Sequence, residues 1–254
     1  QLLLVAYSTS GKLEEQILIS EVIIEQYPQS SIGYESLAFS YLQIGNNRSA
    51  LQILLDAYNK FPNEASFTIA IADIYYDLKN YNNAEKYYLY ALEINPQMFS
   101  IYHHLAILYE NMIDISKSDS LFKFIIDNNK NDAVHMNDYA YILSERKNVS
   151  KVELKFALDL AKKAIFMEPD NSAFLDTIGW IYYKMGVYKK AKKYLKKSLN
   201  IDEHNPLILE HMGDVYHKLN DSIHALLFYE KALIKDEGNK ILQQKIENIY
   251  EKSN

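Results

Sequence analysis

Apolar residues recur along this chain at the spacing of helix faces, in segments separated by short polar breaks. The first complete segment pair lies within residues 31–64. Its opening apolar positions follow the spacing i, i+3, i+4 and i+7, and they are Tyr34, Leu37, Ala38 and Tyr41. This spacing places all four on one face, so the pattern predicts an amphipathic first helix.

A second helix is predicted in the same stretch. The turn signal Gly45-Asn46-Asn47 separates it from the first helix. Its buried stripe is predicted at i, i+4 and i+7, at Ala50, Leu54 and Ala57. Pro62 ends this helix, because proline lacks the amide hydrogen that a helix interior requires. The stretch therefore reads as two antiparallel helices joined by a short turn.

The helix pair repeats with a period of 34 residues, marked by Pro28, Pro62 and Pro96. A period near 34 with helix-type spacing is typical of helical repeat arrays. We predict an all-α fold forming a single body over residues 1–254. Its parts are a partial copy over 1–30, full copies over 31–64, 65–98, 99–132, 133–171, 172–205 and 206–239, and a polar-faced capping helix over 240–254.

The copies are not equal. The copy over 99–132 has Ser118, Ile125 and Lys130 where its neighbours have two small residues and a proline. The copy over 133–171 carries about five extra residues, which the pattern places between its helices near residues 145–150. We predict that these two departures together form a softer joint in the array.

The repeated large, small and aromatic pattern, ending in proline, resembles that of the tetratricopeptide repeat family. The resemblance covers essentially the whole chain, and the stretch Leu175 to Trp180 looks like a bacterial subgroup. It implies a right-handed superhelical solenoid of antiparallel helix pairs. It also implies a concave groove, lined by the first helix of each copy, that binds a segment of another protein.

Mapping that groove face onto this sequence gives a set of acidic and aromatic residues. Carboxylates would steer a partner with basic side chains, and rings would anchor its apolar side chains. The same residues also suit ordinary solvated helix faces, and Trp180 could instead be buried by its neighbours. The predicted contact residues are Phe39, Asp73, Tyr76, Asp77, His104, Asp138, Tyr141, Asp176, Trp180, Tyr183 and Asp214.

Composition and charge exclude several function classes. The net charge of −6 argues against a nucleic-acid partner, and the chain has no cysteine for a thiolate nucleophile or a thiolate metal site. No stretch approaches the about 18 apolar residues of a membrane span. No catalytic motif or phosphate-binding glycine loop is present. We predict neither an enzyme nor a cofactor nor a metal site, and the sequence does not indicate a compartment.

Two surfaces leave alternatives open. The lysine run over residues 189–197 is expected on a solvated convex face rather than on an anionic partner. The apolar residues Leu2 to Val5 would lie uncovered, which suggests a missing upstream part or association of two copies through this end. The alternative functions are therefore a spacer or assembly subunit that associates through its N-terminal end, and the targeting arm of a larger enzyme.

Overall fold

The computed structural model describes residues 13–253, and these form fourteen α-helices and no strand. The all-α fold class predicted from the repeat is confirmed. The helices are α1 Leu13–Gln26, α2 Ser31–Gln43, α3 Asn47–Lys60, α4 Ala65–Asp77, α5 Tyr81–Ile94, α6 Phe99–Asn111, α7 Ile115–Asn128, α8 Ala133–Glu145, α9 Lys151–Met167, α10 Ser172–Lys184, α11 Tyr188–Ile201, α12 Pro206–Lys218, α13 Ser222–Lys235 and α14 Lys240–Ser253.

The helix starts reproduce the predicted register. The first helix of each full copy begins at the first residue of that copy, from α2 at Ser31 to α12 at Pro206. Helix α1 occupies the second-helix place of the partial copy. The residues that set the register of that copy's first helix, Leu3, Leu4, Tyr7 and Gly11, lie outside the described residues. So does the predicted uncovered surface from Leu2 to Val5.

The chain divides into two compact units, the first ending at Ile125 and the second beginning at Ile126, within α7. Each unit is a stack of helix pairs with its own buried core. In the first unit the core residues include Tyr34, Leu54, Phe67, Ile71, Tyr88, Leu105 and Leu108. In the second they include Leu209, Ala225, Tyr229, Ala232, Leu242 and Ile249. The prediction of one continuous body over the whole chain stays a prediction.

Small residues set how closely the paired helices approach. The first helices carry a buried Ala or Gly at their eighth position, from Ala38 to Gly213. Gly213 of α12 lies so close to Tyr229 of α13 that an added Cβ would be 2.4 Å from two ring carbons. Gly179 of α10 has the same relation to Leu195. These contacts explain why glycine occupies the two positions where the paired helices cross.

Five of the turns between paired helices share one backbone geometry. Each has three residues, and the middle residue takes a positive φ. The amide that follows it donates back to a carbonyl in the last turn of the first helix, as Asn46 does to Tyr41 at 2.8 Å. The middle residues are Gly45 (φ 76°), Lys79 (58°), Ile113 (61°), Gly186 (75°) and Asn220 (60°).

The enlarged copy distributes its extra residues over two places. Its turn spans five residues, 146–150, where the others span three, and α9 has 17 residues where the other second helices have 14. Ser150 caps α9 in a capping box with Glu153, whose carboxylate accepts the Ser150 amide at 2.7 Å. The sequence interpretation placed all the extra residues in the turn. Two of the extra residues lie in the turn and three lie in α9, which begins after its cap Ser150.

The last helix, α14, packs against the end of the second core. Leu242 and Ile249 are buried against α12 and α13, and Ile246 packs beside them. Tyr250 is half exposed, and its hydroxyl donates to Glu230 at 3.3 Å.

Candidate functional site

A cleft of about 280 Å³ opens in the first unit, between α4 and α6 with α5 as its floor. Its lining consists of Asp73, Tyr76, Asp77, Tyr88, His104 and Ile107, and we call it the first-unit cleft. Asp73, Tyr76 and Asp77 come together because i, i+3 and i+4 share one face of a helix. Four of the predicted contact residues therefore meet in one place.

The polar groups of the first-unit cleft contact one another. The Tyr88 hydroxyl donates to Asp73 Oδ1, and His104 Nδ1 lies 3.7 Å from the same oxygen. The rings of Tyr88 and His104 are 5.4 Å apart. Asn111 donates to the Tyr76 hydroxyl at 3.0 Å and fixes that ring at the edge. The side chains are thus held in position before any ligand arrives.

The cleft is acidic. Asp77 is exposed and the Asp73 side chain is about half exposed. Among residues 13–253, neither carboxylate has a Lys or Arg within salt-bridge distance. Burial lowers the pKa of His104, although Asp73 opposes the shift. The cleft therefore offers two carboxylates beside a histidine that favours its neutral form near pH 7.

Phe39 is the predicted contact residue of the first unit that lies apart from the cleft. It belongs to α2, and its side chain is 45% exposed. Because it is absent from the cleft lining, its role as a partner contact stays a prediction.

In the second unit, the predicted residues are assembled very differently. Asp176 and His211 form a buried pair, 4% and 3% exposed, with Asp176 Oδ1 2.9 Å from His211 Nδ1. Trp180 stacks between Tyr183, at a centroid distance of 4.6 Å, and His211, at 4.0 Å. Its indole N–H donates to Glu145 at 2.6 Å. Trp180 is only 8% exposed, so the alternative in which its neighbours bury it describes the structure.

Lysines pair with three further carboxylates of this face. Lys184 Nζ lies 2.9 Å from Glu145, and Lys245 Nζ lies 2.7 Å from Glu210 and 2.8 Å from Asp214. Burial alone would raise the pKa of Glu145, but hydrogen bonds from Trp180 and Lys184 outweigh it and lower that pKa. The second unit thus differs from the acidic lining that the sequence suggested, because its charges are largely compensated.

Lys245 is a charged residue of this face that the sequence did not indicate. It comes from the capping helix and reaches back to α12, 35 residues after Glu210. Glu145 and Trp180 are also 35 residues apart, although the enlarged copy lies between them. Across copies of 34 residues, the same separation joins Asp176 to His211 and Tyr76 to Asn111. This separation is one residue more than the period of 34. Pairing polar residues 35 apart in the sequence would therefore have predicted these contacts between successive first helices.

Four predicted residues of the second unit remain partly accessible, namely Asp138, Tyr141, Tyr183 and Asp214. Burial raises the pKa of Tyr141 to about 12, with further contributions from Glu145, Asp176 and Glu210. Burial also raises the pKa of Tyr183 to about 12. Both hydroxyls therefore stay protonated at neutral pH. Asp138 is partly buried on α8, one turn before Tyr141.

Neither a metal nor a membrane site is indicated within the described part of the chain. No group of three or more His, Asp or Glu residues in it is arranged to hold a metal ion. None of its helices combines the length and the apolar character needed to cross a bilayer.

Comparison with known families decides the classification. The model described as Tetratricopeptide repeat matches residues 94–245, and a second model of the same description matches residues 67–98. The longer match covers more than half of the chain. The chain belongs to the tetratricopeptide repeat family. Tetratricopeptide repeat proteins mediate protein–protein interactions and assembly, and their scaffold is generally non-enzymatic.

Individual relatives agree with this family, but this chain matches only part of the length of the curated relative below. The chain is 25% identical to the BBSome complex member BBS4 of Bos taurus over 191 residues, which are 74% of this chain and 29% of that protein. It therefore spans less than a third of this relative. Among solved structures, a tetratricopeptide repeat protein from Parabacteroides merdae aligns at TM-score 0.81 and 14% identity, covering 97% of this chain and 96% of the other.

A chain of the APC/C hetero-tetramer Cut9-Hcn1 is also similar, with TM-score 0.73 and 14% identity. The alignment covers 97% of this tetratricopeptide repeat chain and 48% of the other. At these identities the structural likeness shows the fold alone.

Proposed function

We propose that this chain is a protein-interaction scaffold that binds a segment of a partner protein along the first helices of its repeats. The first-unit cleft is the main point of contact. One observation carries the proposal: four contact residues expected from the sequence, Asp73, Tyr76, Asp77 and His104, line a single cleft whose carboxylates have no Lys or Arg partner among the described residues.

The chemistry of the cleft specifies the partner segment. A Lys or Arg side chain would reach Asp73 and Asp77, while Tyr76, Ile107 and the His104 ring would contact its apolar neighbours. A half-exposed carboxylate gains more from a cation than a fully solvated one, because partial burial strengthens the electrostatic interaction. Segments of this kind bind typically with micromolar affinity, about −8 kcal/mol.

The second unit contributes less charge to this proposal. Because lysines pair with its carboxylates, the partly accessible rings of Tyr141 and Tyr183 are its proposed contacts. Asp176 and Trp180 are buried beneath this surface, where Asp176 pairs with His211 and Trp180 stacks on Tyr183. We propose that Asp138 and Asp214 do not contact the partner segment directly. They would instead hold neighbouring side chains of this chain in position. The scaffold binds partners and carries out no reaction of its own.

The test uses the double substitution Asp73→Asn/Asp77→Asn. Asparagine keeps an oxygen that accepts the Tyr88 hydrogen bond, so the fold is retained while both charges are lost. Binding of fluorescein-labelled peptides, each with one Arg between apolar residues, is measured by fluorescence polarisation. We expect the double variant to lose at least about tenfold in affinity, equivalent to about 1.4 kcal/mol.

The matched control is Asp56→Asn/Glu93→Gln, which removes the same charge from exposed positions of the same unit. We expect its affinity to stay within about twofold of the unmodified chain. Equal losses in both double variants would show a diffuse charge effect and contradict a specific cleft. Unchanged binding in Asp73→Asn/Asp77→Asn would also contradict it.

The names of the relatives favour a second candidate, that of an assembly subunit. A BBSome complex member and a chain of a hetero-tetramer are both similar to this chain. In this case the chain associates with itself or with other subunits through larger surfaces, including the N-terminal end. Light scattering across a range of concentrations tests self-association, and a strict monomer at every concentration would exclude it.

A further inference from the structure

A second opening lies on another face of the second unit, between the parallel helices α11 and α13. It is a crevice of about 650 Å³, and α12 contributes its floor. Apolar side chains line the bottom, among them Met212, Tyr216 and Phe228, and lysines stand along both edges. We call it the lysine-rimmed crevice. It shares none of the residues of the first-unit cleft.

The rings of the floor hold the lysines at its mouth. Tyr216 and Phe228 stack at a centroid distance of 5.4 Å and an interplanar angle of 15°. Lys192 Nζ lies 4.2 Å from the Tyr216 centroid, and Lys231 Nζ lies 5.6 Å from that of Phe228. Cation–π attraction of this kind places the ammonium groups directly over apolar surface.

Most of these lysines have no counter-charge. Within residues 13–253, no carboxylate lies at salt-bridge distance from Lys196, Lys231 or Lys235. Glu203, the acid at one end of the crevice, pairs with His204 at 3.1 Å. The net effect is a positive rim around an apolar floor, in a chain whose overall charge is −6.

The repeat itself provides an internal comparison. In the first unit, the positions equivalent to Leu199 and Lys231 are Tyr58 and Tyr90, whose rings stack 6.4 Å apart. Tyr87 stands where the second unit has Phe228, and it contacts both of these rings. Aromatic rings therefore occupy the space between successive second helices in the first unit. In the second unit the smaller Leu199 and the outward-reaching Lys231 leave it open.

We propose that the lysine-rimmed crevice docks an acidic amphipathic helix of a partner protein. The lysines form two rails, because Lys192 and Lys196 on α11 and Lys231 and Lys235 on α13 are each spaced i, i+4. A helix lying between the rails presents apolar side chains to the floor and carboxylates to both flanks. Helix-in-groove recognition reads this arrangement at i, i+3, i+4 and i+7.

The docking is tested with a fluorescein-labelled synthetic helix of about 18 residues, or about five turns. It carries Leu at the spacing above and Glu on both flanks, and a second peptide replaces each Glu by Gln. We expect the acidic peptide to bind and the Gln peptide to bind at least about tenfold more weakly. Equal binding of the two peptides would overturn the role of the lysine rails.

The chain offers a matched pair of variants. Lys196→Glu/Lys231→Glu reverses one charge on each rail, whereas Lys189→Glu/Lys193→Glu makes the same charge change on exposed residues of α11 outside the crevice. We expect at least a tenfold loss of affinity in the first and less than about threefold in the second. Similar losses in both variants would show non-specific attraction and overturn the proposal.

A third variant fills the crevice. Leu199→Tyr/Lys231→Tyr introduces the rings that stack at Tyr58 and Tyr90, and it is expected to abolish binding while circular dichroism stays unchanged. Retained binding by this filled variant would contradict the proposed location. Binding of free dodecanoate without measurable binding of the acidic peptide would assign the crevice to a small amphiphile and overturn helix docking. The variant Asp73→Asn/Asp77→Asn should bind the acidic peptide normally, so the two proposals fail independently.

Discussion

At the scale of single residues, the close packing of the paired helices depends on glycines as well as on large apolar side chains. Gly213 has Tyr229 against its Cα and Gly179 has Leu195, so neither position has room for a methyl group. The period alone is sufficient to locate both glycines, because a small residue recurs at the eighth position of each first helix. It did not identify the residue that each one faces.

Gly213→Ala tests this close approach. The added methyl group would meet the Tyr229 ring, and overpacking of this kind costs about 1–3 kcal/mol, partly offset by the better helix propensity of alanine. We expect the free energy of unfolding to fall by about 1–2 kcal/mol, measured by urea denaturation. Gly238→Ala is the control, since nothing lies within 4 Å of its added Cβ. A smaller loss for Gly213→Ala than for the control would contradict the packing argument.

A second consequence at this scale concerns pH. Burial lowers the pKa of His104 in the folded chain below the ordinary histidine value of 6.5, so the unfolded chain binds its proton more readily. The stability due to neutral His104 is therefore complete above pH 6.5 and declines as the pH falls through the lowered value.

His104→Gln should weaken this acid dependence. We expect urea midpoints measured from pH 7 down to about pH 5 to fall less steeply in the variant than in the unmodified chain. His204→Gln is the comparison, because the His204 side chain is 70% exposed. Parallel curves for His104→Gln and the unmodified chain would show that burial of His104 is not linked to folding.

At the scale of elements, the turns explain how residues of poor turn propensity fit a repeated backbone. Gly45 and Gly186 take the positive φ without strain, and asparagine tolerates it at residue 220. Ile113 adopts φ 61° although it is β-branched, while its side chain is 83% exposed. The surrounding helices therefore impose this geometry on the weakest copy of the repeat.

Ile113→Gly should stabilise that turn. The left-handed conformation costs a non-glycine residue about 1–2 kcal/mol, and glycine loses part of this gain to the entropy of its unfolded chain. We expect a net gain of about 0.5–1 kcal/mol in the free energy of unfolding, with a smaller gain for Asn220→Gly. A loss of stability in Ile113→Gly would mean that the exposed side chain contributes contacts outweighing the strain.

At the scale of the whole chain, local pattern and long-range pairing differed in how well they could be predicted. The helix starts followed from periodicity, because residues three or four apart share a helix face whatever the rest of the chain does. The face that holds the four cleft residues was instead mapped from the resemblance to the tetratricopeptide repeat family. The pairing of lysines with carboxylates in the second unit could not be predicted from periodicity. Lys245 approaches Glu210 and Asp214 through the packing of a helix that begins 30 residues after Glu210. The division at Ile125 also has no local signature, since it lies within one helix.

Trp180 has one more consequence, which is spectroscopic. It is the sole tryptophan of the chain, stacked against His211 and Tyr183 and hydrogen-bonded to Glu145. All three partners belong to the second unit. Indole emission is therefore a built-in reporter of that half alone, while far-ultraviolet dichroism counts the helices of both. Recording the two signals in one denaturation separates the melting of the halves without any label.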